Sequence, residues 1–327
     1  MKQSQFESHH QASWKEFASK LDGLEKTGKT DAAHSKGFAA DYRRVCQQLS
    51  LAQARGYSNH LIEQLQQLAL RGHQQLYRHR STIGAQLVSF LLSGFPCLVR
   101  AQWRFVLAAS LLFFGSLIIM GLLVYLFPHL VYSVVDPQQV ASMESMYDPD
   151  ARRLGRFSER GSGDDWMMFG FYIMNNIGIA FQTFASGLLF GLGSLFFLLF
   201  NGVMIGAVAG HLTQIGYSET FWSFVVGHGA FELTAIALAG AAGLKLGWAL
   251  LAPGRLPRTE ALRLAAADSI RLVAGVVVFL LLAAFIEAYW SSMTFATPHV
   301  KYAVGALLWA LVLSYLILAG RGTHAPD

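Results

Sequence analysis

Few residues in this chain could carry chemistry, and those few lie in apolar surroundings. His228 and Glu232 stand four apart in the segment HGAFE, so on a helix they share one face. An imidazole and a carboxylate so placed can exchange a proton, bind an ion or simply hold each other. Asn175, Asn176 and Asn201 fall within the preceding apolar stretch with Gln182 between them, and Glu287 lies near the end of a later one. A carboxylate at bilayer depth is costly, so it is normally paired, protonated or lining a wet cavity. Two readings stand side by side. In one, His228 and Glu232 form a satisfied structural cluster, bonded to Asn201 or to helix ends. In the other, the same residues form a proton- or ion-responsive site. Lys245 can snorkel or pair with a carboxylate, and its spacing leaves both open.

Other chemistries lack their motifs. HGAFE has no second His at helical spacing and is not an HExxH zinc site. The chain has no GxSxG elbow, no plausibly activated Cys and no Walker A loop. Neither an enzymatic activity nor a metal centre nor a cofactor is expected.

The elements that must position these residues follow from the composition. The 327 residues are 54% hydrophobic and 14% charged, against roughly 25% charged in soluble domains. The deficit is uneven. Residues 1–104 hold fourteen Lys/Arg and seven Asp/Glu, whereas Trp166–Gly210 holds none of the four types. That split excludes a single water-soluble domain and predicts a soluble head followed by a membrane body. The polar start, MKQSQFESHHQASWKEF, lacks the apolar core of a cleavable signal, so the first long apolar run acts as an uncleaved anchor. The net charge of +5 sits in the head and in loops beside apolar segments, where Lys and Arg set topology and meet the lipid bilayer. No nucleic-acid partner is expected. Cys46 and Cys97 both precede the first span, on the reducing side, and predict no disulfide.

An all-α fold with three regions is expected. Residues 1–81 read as a cytosolic helical domain of about three helices, with Leu61, Leu65, Leu68 and Leu76 at helical spacing and Ser58 or Asn59 as an N-cap. Residues 82–104, interrupted by Gly94 and Pro96, read as a broken amphipathic segment at the headgroup level, with Arg100, Trp103 and Arg104 at phosphate depth. Residues 105–327 form the transmembrane domain, with an external loop at 128–165. Its acids are Asp136, Glu144, Asp148, Asp150, Glu159, Asp164 and Asp165, against Arg152, Arg153, Arg156 and Arg160.

Phe105–Phe127 is long enough for one crossing. Trp166–Gly210, about 67 Å if helical, is too long for one and must turn back near Ala185-Ser186-Gly187. Two crossings there keep the basic loop 252–271 inside. With spans near 221–250, 272–291 and 300–320, six crossings result, both termini lie in the cytosol, and five spans is the alternative count.

Glycine sets how tightly these spans pack. Gly187 and Gly191 make one GxxxG, while Gly202, Gly206 and Gly210 repeat the spacing, as do Gly243 and Gly247. Small residues let helix backbones approach closely in lipid, so a tight bundle is expected, with one face available for a homodimer.

Several ordered motifs together resemble the stage II sporulation protein M family of integral membrane proteins. They are Asn175-Asn176-Ile177, GLLFGLGS from Gly187 to Ser194, Phe200-Asn201-Gly202, HGAFELTAIALAGAAGLKLG from His228 to Gly247, Pro253-Gly254 and AAFIEA from Ala283 to Ala288. The resemblance covers about residues 100–320. It implies a non-enzymatic polytopic protein of the bacterial cytoplasmic membrane that anchors or organises a complex in cell-envelope remodelling. Partners implied are wall hydrolases or, in the non-sporulating branch, MoxR-type AAA+ ATPases and von Willebrand factor A-type proteins. The long basic head departs from the sporulation type and favours that broader branch. The motif positions Asn175, Asn176, Asn201, His228, Glu232 and Glu287 carry over with no catalytic role attached. A channel or transporter using the intramembrane His/Glu/Asn cluster is the alternative function.

Overall fold

The computed structural model describes residues 2–27, 32–76, 83–150, 162–293 and 295–321. The regular structure there is all helical, and the described residues contain no strand. The chain divides into two compact units, Met1–Ile83 and Gly84–Asp327.

The first unit is three helices, α1 (Gln3–Thr27), α2 (Ala32–Ala54) and α3 (Asn59–Leu76). Its core is aromatic: Phe6, Trp14, Phe17 and Phe38 pack with Leu21, Val45, Leu61, Leu65 and Leu68. Ser58 Oγ accepts from the Leu61 amide, which makes it the N-cap of α3. The buried stripe of α3 continues through Gly72, where the Phe17 and Tyr42 rings occupy the space of a side chain. Leu76, expected on that stripe, is exposed. Spacing alone does not distinguish the last turn of a helix, which has run past its neighbours, from the turns before it.

The boundary falls at the first residue of a helix interrupted once, which then opens the second unit: α4 (Ile83–Ser89), a π segment (Phe90–Gly94) and α5 (Phe95–Ala101). Pro96 has no amide hydrogen and its ring crowds the preceding turn, and the widened π turn carries the chain past it without a break. This stretch was expected to lie at the interface. Its Phe95 is fully buried against Phe279 and Tyr315, and Gly275 leaves the room that the Phe95 ring fills.

Next come α6 (Trp103–Leu126), a 3-10 turn (Pro128–Ser133), α7 (Pro137–Tyr147) and α8 (Ser162–Ala185). Then follow α9 (Leu192–Gln214), α10 (Ser218–Leu251), α11 (Arg258–Phe285), a π segment (Ile286–Ser291) and α12 (Pro298–Leu318). Six stretches are long and apolar enough to cross a membrane: Gly84–Ala101, Trp103–Leu126, Leu192–Gln214, Ser218–Leu251, Arg258–Ser291 and Pro298–Leu318. The number matches the expected six, but the membership differs. Gly84–Ala101 qualifies, and α8 does not reach that apolarity because Asn175, Asn176 and Gln182 dilute it.

The protein is therefore an all-α polytopic membrane bundle, and α10 is its axis. Nineteen residues of α10 are buried, most of them Ala or Gly, where a surface helix would bury one face only. The turn between α8 and α9 runs through Ser186–Gly191, a little beyond the expected Ala185-Ser186-Gly187, and Gly191 holds it with a left-handed φ of 82°. Part of the expected external loop is folded: α7 is capped by the Asp136 carboxylate on the Gln138 amide, and Tyr147 packs on Phe221 and Phe224 of α10. Arg152, Arg153, Arg156, Glu159 and Arg160 lie outside the described residues, as do the chain ends of the expected head and transmembrane domains.

Candidate functional site

The most polar part of the bundle interior forms where α10 meets the π segment after α11. His228 and Glu232 lie one turn apart on α10, with His228 Nε2 3.9 Å from Glu232 Oε2. Both sit in the most buried helix of the chain; His228 is only 6% exposed. The edge of Phe224, one turn earlier, meets the His228 ring with centroids 5.5 Å apart. On the other side, His228 Nδ1 lies 3.1 Å from the Ser291 hydroxyl. Glu287 comes from the same π segment, and one donor atom each of His228, Glu232 and Glu287 lie within 4.8 Å of one another. Lys301 of α12, 2% exposed, donates from Nζ to the Ser291 carbonyl at 2.8 Å.

Three of the six polar positions singled out above therefore meet: His228, Glu232 and Glu287. The hydrogen bonds of the asparagines go elsewhere. Asn201 donates to the Phe197 carbonyl of its own helix at 2.7 Å, not to His228 or Glu232. Asn175, exposed, donates to Asn176 Oδ1 at 3.0 Å. Asn176 is buried, and its Nδ2 has no hydrogen-bond partner among the described residues. Asn176 shares a face of α8 with Tyr172, which packs on Ala284 and Ala288 beside Glu287.

Ser291 and Lys301 were not expected at the site. Lys301 carried a legible signal, a lone cation near the start of an otherwise apolar span; a Ser carries none. Lys245 pairs with Asp268, which deciding between snorkelling and pairing required. Arg100, expected at phosphate depth, donates to the Leu316 and Ala319 carbonyls at 2.8 and 2.7 Å. Those are unpaired acceptors at the C-terminus of α12, where a cation also meets the negative end of the helix dipole. A second buried histidine, His211 of α9, has Nε2 2.7 Å from Glu144 Oε1 of α7 and ties the outer helix to the bundle.

The expected glycine positions all make contacts within the chain. A Cβ on Gly187 would fall 2.2 Å from the Gly243 carbonyl oxygen, and one on Gly247 would fall 2.1 Å from the Gly191 nitrogen. Gly202, Gly206 and Gly210 lie against Phe113–Ser116, Leu117 and Gly121 of α6 in the same way. The repeats thus seal α9 and α10 to their neighbours. Gly187 and Gly191 do so from a turn and not from the helix their GxxxG spacing suggested.

Chemically, one imidazole nitrogen and two carboxylate oxygens are donor types that hold a proton between them or a divalent cation.

Residues 4–78 match a domain of unknown function (DUF8413). Among curated proteins, uncharacterized protein MJ0793 of Methanocaldococcus jannaschii is 28% identical over 122 residues, covering 36% of this chain and 67% of its own length. No solved structure matches the chain. Residues 110–292 match Stage II sporulation protein M, a span that contains His228, Glu232, Glu287 and Ser291 but stops short of Lys301. Over half of the chain, including the whole α10 axis and its polar cluster, the protein belongs to the stage II sporulation protein M family.

Proposed function

We propose that the protein is a non-enzymatic integral membrane scaffold that organises a membrane-associated complex in cell-envelope remodelling. The observation that carries this reading is the close glycine packing. Glycine-to-backbone contacts close α6 on α9 and the α8–α9 turn on α10, as suits a helix bundle that holds other proteins in place. A separate helical unit, Met1–Ile83, adds a polar surface for partners. In this reading the membrane is the bacterial cytoplasmic membrane, both termini face the cytosol and the chain works as a homo-oligomer. Its partners are a MoxR-type AAA+ ATPase or wall hydrolases.

Copurification of the full chain from native membranes, followed by mass spectrometry, tests it. Near-stoichiometric recovery of one such partner is expected, and recovery of lipid and this chain alone under mild extraction would count against it. The convergence of His228, Glu232 and Glu287 within the bundle favours a second reading, an ion or small-solute channel or transporter. Reconstitution in liposomes separates the two. The scaffold leaves ion and solute leak at the level of empty vesicles, whereas saturable flux that Glu232→Gln abolishes would establish the transporter.

A further inference from the structure

We propose that His228, Glu232 and Glu287 bind one first-row divalent transition-metal ion, with Ser291 as the group that orients the histidine. The inference does not depend on the scaffold reading. It starts from the donor set. Two carboxylates and one imidazole converge from two helices, with their donor atoms within 4.8 Å of one another. An imidazole ligand disfavours magnesium and calcium and suits zinc, manganese or ferrous iron.

The separation of His228 from Glu232 fits a shared ion better than direct bonding. At 3.9 Å, His228 Nε2 and Glu232 Oε2 are too far apart for a hydrogen bond. Ligand bonds of about 2.1 Å place neighbouring donors about 3.0–3.4 Å apart. Two carboxylates also match the charge of a divalent ion, which removes the cost of holding them together in an apolar bundle.

Two further features stand apart from the donors themselves. The first is the imidazole orientation. His228 is 6% exposed, its Nδ1 meets the Ser291 hydroxyl and its Nε2 is directed at Glu232. A metal-bound histidine characteristically donates its other ring N–H to a second-shell acceptor. Lys301 donates to the main-chain carbonyl of the same Ser291, which anchors the backbone that carries this hydroxyl. The second feature is the backbone. The π segment Phe90–Gly94 is explained by Pro96, but the π segment Ile286–Ser291 has no proline within it or in the turn after it. It closes α11, and Glu287 and Ser291, four apart on it, face α10 together.

The experiment uses the full chain purified in detergent, stripped with EDTA and titrated with Co2+. A visible d–d absorption band should grow to saturation at one equivalent and be displaced by Zn2+. Elemental analysis of protein purified without chelator should return the same stoichiometry. Glu287→Gln, isosteric and uncharged, should abolish the band, and Ser291→Ala should weaken binding by about 10–100-fold. A melting midpoint that rises on metal addition in the wild type and not in Glu287→Gln completes the pattern. The titration of the unsubstituted chain stands even if a variant fails to fold. Absence of a saturable one-equivalent band in the wild type overturns the proposal, because the cluster is then held by protons. So does undiminished binding by a folded Glu287→Gln variant.

Discussion

The two units of this chain are both helical, yet they are held together in different ways. In the first, the core is made of large side chains: Phe6, Trp14, Phe17, Leu21 and Leu65 are almost wholly withdrawn from solvent. In the second, the axis α10 is buried through Ala235, Ala237, Ala239, Gly240, Ala241, Ala242 and Gly243. Water drives the first arrangement, since burying a large apolar side chain stabilises a fold by about 1.5–3 kcal/mol. Lipid gives no such drive between apolar helices, and close packing of small residues takes its place.

Polar groups follow the same division. Around the head they pair at the surface: Arg71 bridges Asp22 and Glu25, and Lys20 bridges Glu16 and Asp41. Within the apolar spans of the bundle they are few, and several bond to carbonyls or to one another, while Arg263 and Glu260 pair at the exposed start of α11. His228, Glu232, Glu287, Ser291 and Lys301 together form the largest such group described, where polarity is hardest to accommodate.

The comparison can be broken most forcefully at the aromatic core. Phe17→Ala should cost the head about 3–5 kcal/mol, seen as lost hydrogen-exchange protection across α1–α3, with α10 unaffected. Loss of protection in both units to the same extent would show that they do not unfold separately.

The converse substitution probes the bundle. Gly206→Leu places its first side-chain carbon 2.3 Å from the Leu117 carbonyl oxygen, on backbone that cannot step aside. A cost of about 3 kcal/mol is expected, read as a lower melting midpoint in detergent. Gly206→Leu at wild-type stability would mean that α6 and α9 are not packed through this stripe.

Glycine in the head should behave in the opposite sense. Gly37, inside α2, has nothing within 4 Å of where a Cβ would stand. Gly37→Ala should therefore stabilise the head by about 0.5–1 kcal/mol, measured as slower exchange across α2.

The smallest effect is electrostatic. Hydrogen bonds to Glu16 and Asp41 raise Lys20 above the ordinary lysine value of 10.5. A group whose folded value is raised contributes stability that is present below its unfolded value and lost as pH rises through the folded one. With the Lys20 side chain a third exposed, the contribution is below about 1 kcal/mol. The head of the wild type should lose this advantage over Lys20→Met only above about pH 10.5, and added salt should shrink it. An equal advantage at pH 11 and pH 7 would show that Lys20 acts through packing of its stem.

Much of this architecture was legible residue by residue. Phe105–Phe127 and the α3 stripe through Leu61, Leu65 and Leu68 declare themselves because burial there follows from a periodic or continuous apolar run. The four-residue spacing of His228 and Glu232 likewise placed both on one face. Leu76 was misplaced because helical spacing continues past the point where neighbours end. Asn201 was expected beside His228 because both are polar in apolar helices, but an Asn can satisfy itself on its own backbone, as the Phe197 carbonyl shows.

What the sequence by itself determined is the class of the protein: a basic helical head, an apolar all-α body and a short inventory of polar residues inside it. Those are sums over local properties, and they need no knowledge of neighbours. Only the tertiary structure decided that Glu287 joins His228 and Glu232 while three asparagines do not. It also decided that Ser291 and Lys301 support the group and that each glycine repeat faces another part of the same chain. The physical reason is that these depend on which faces of separate helices meet, and on one π turn whose register no local run of residues announces.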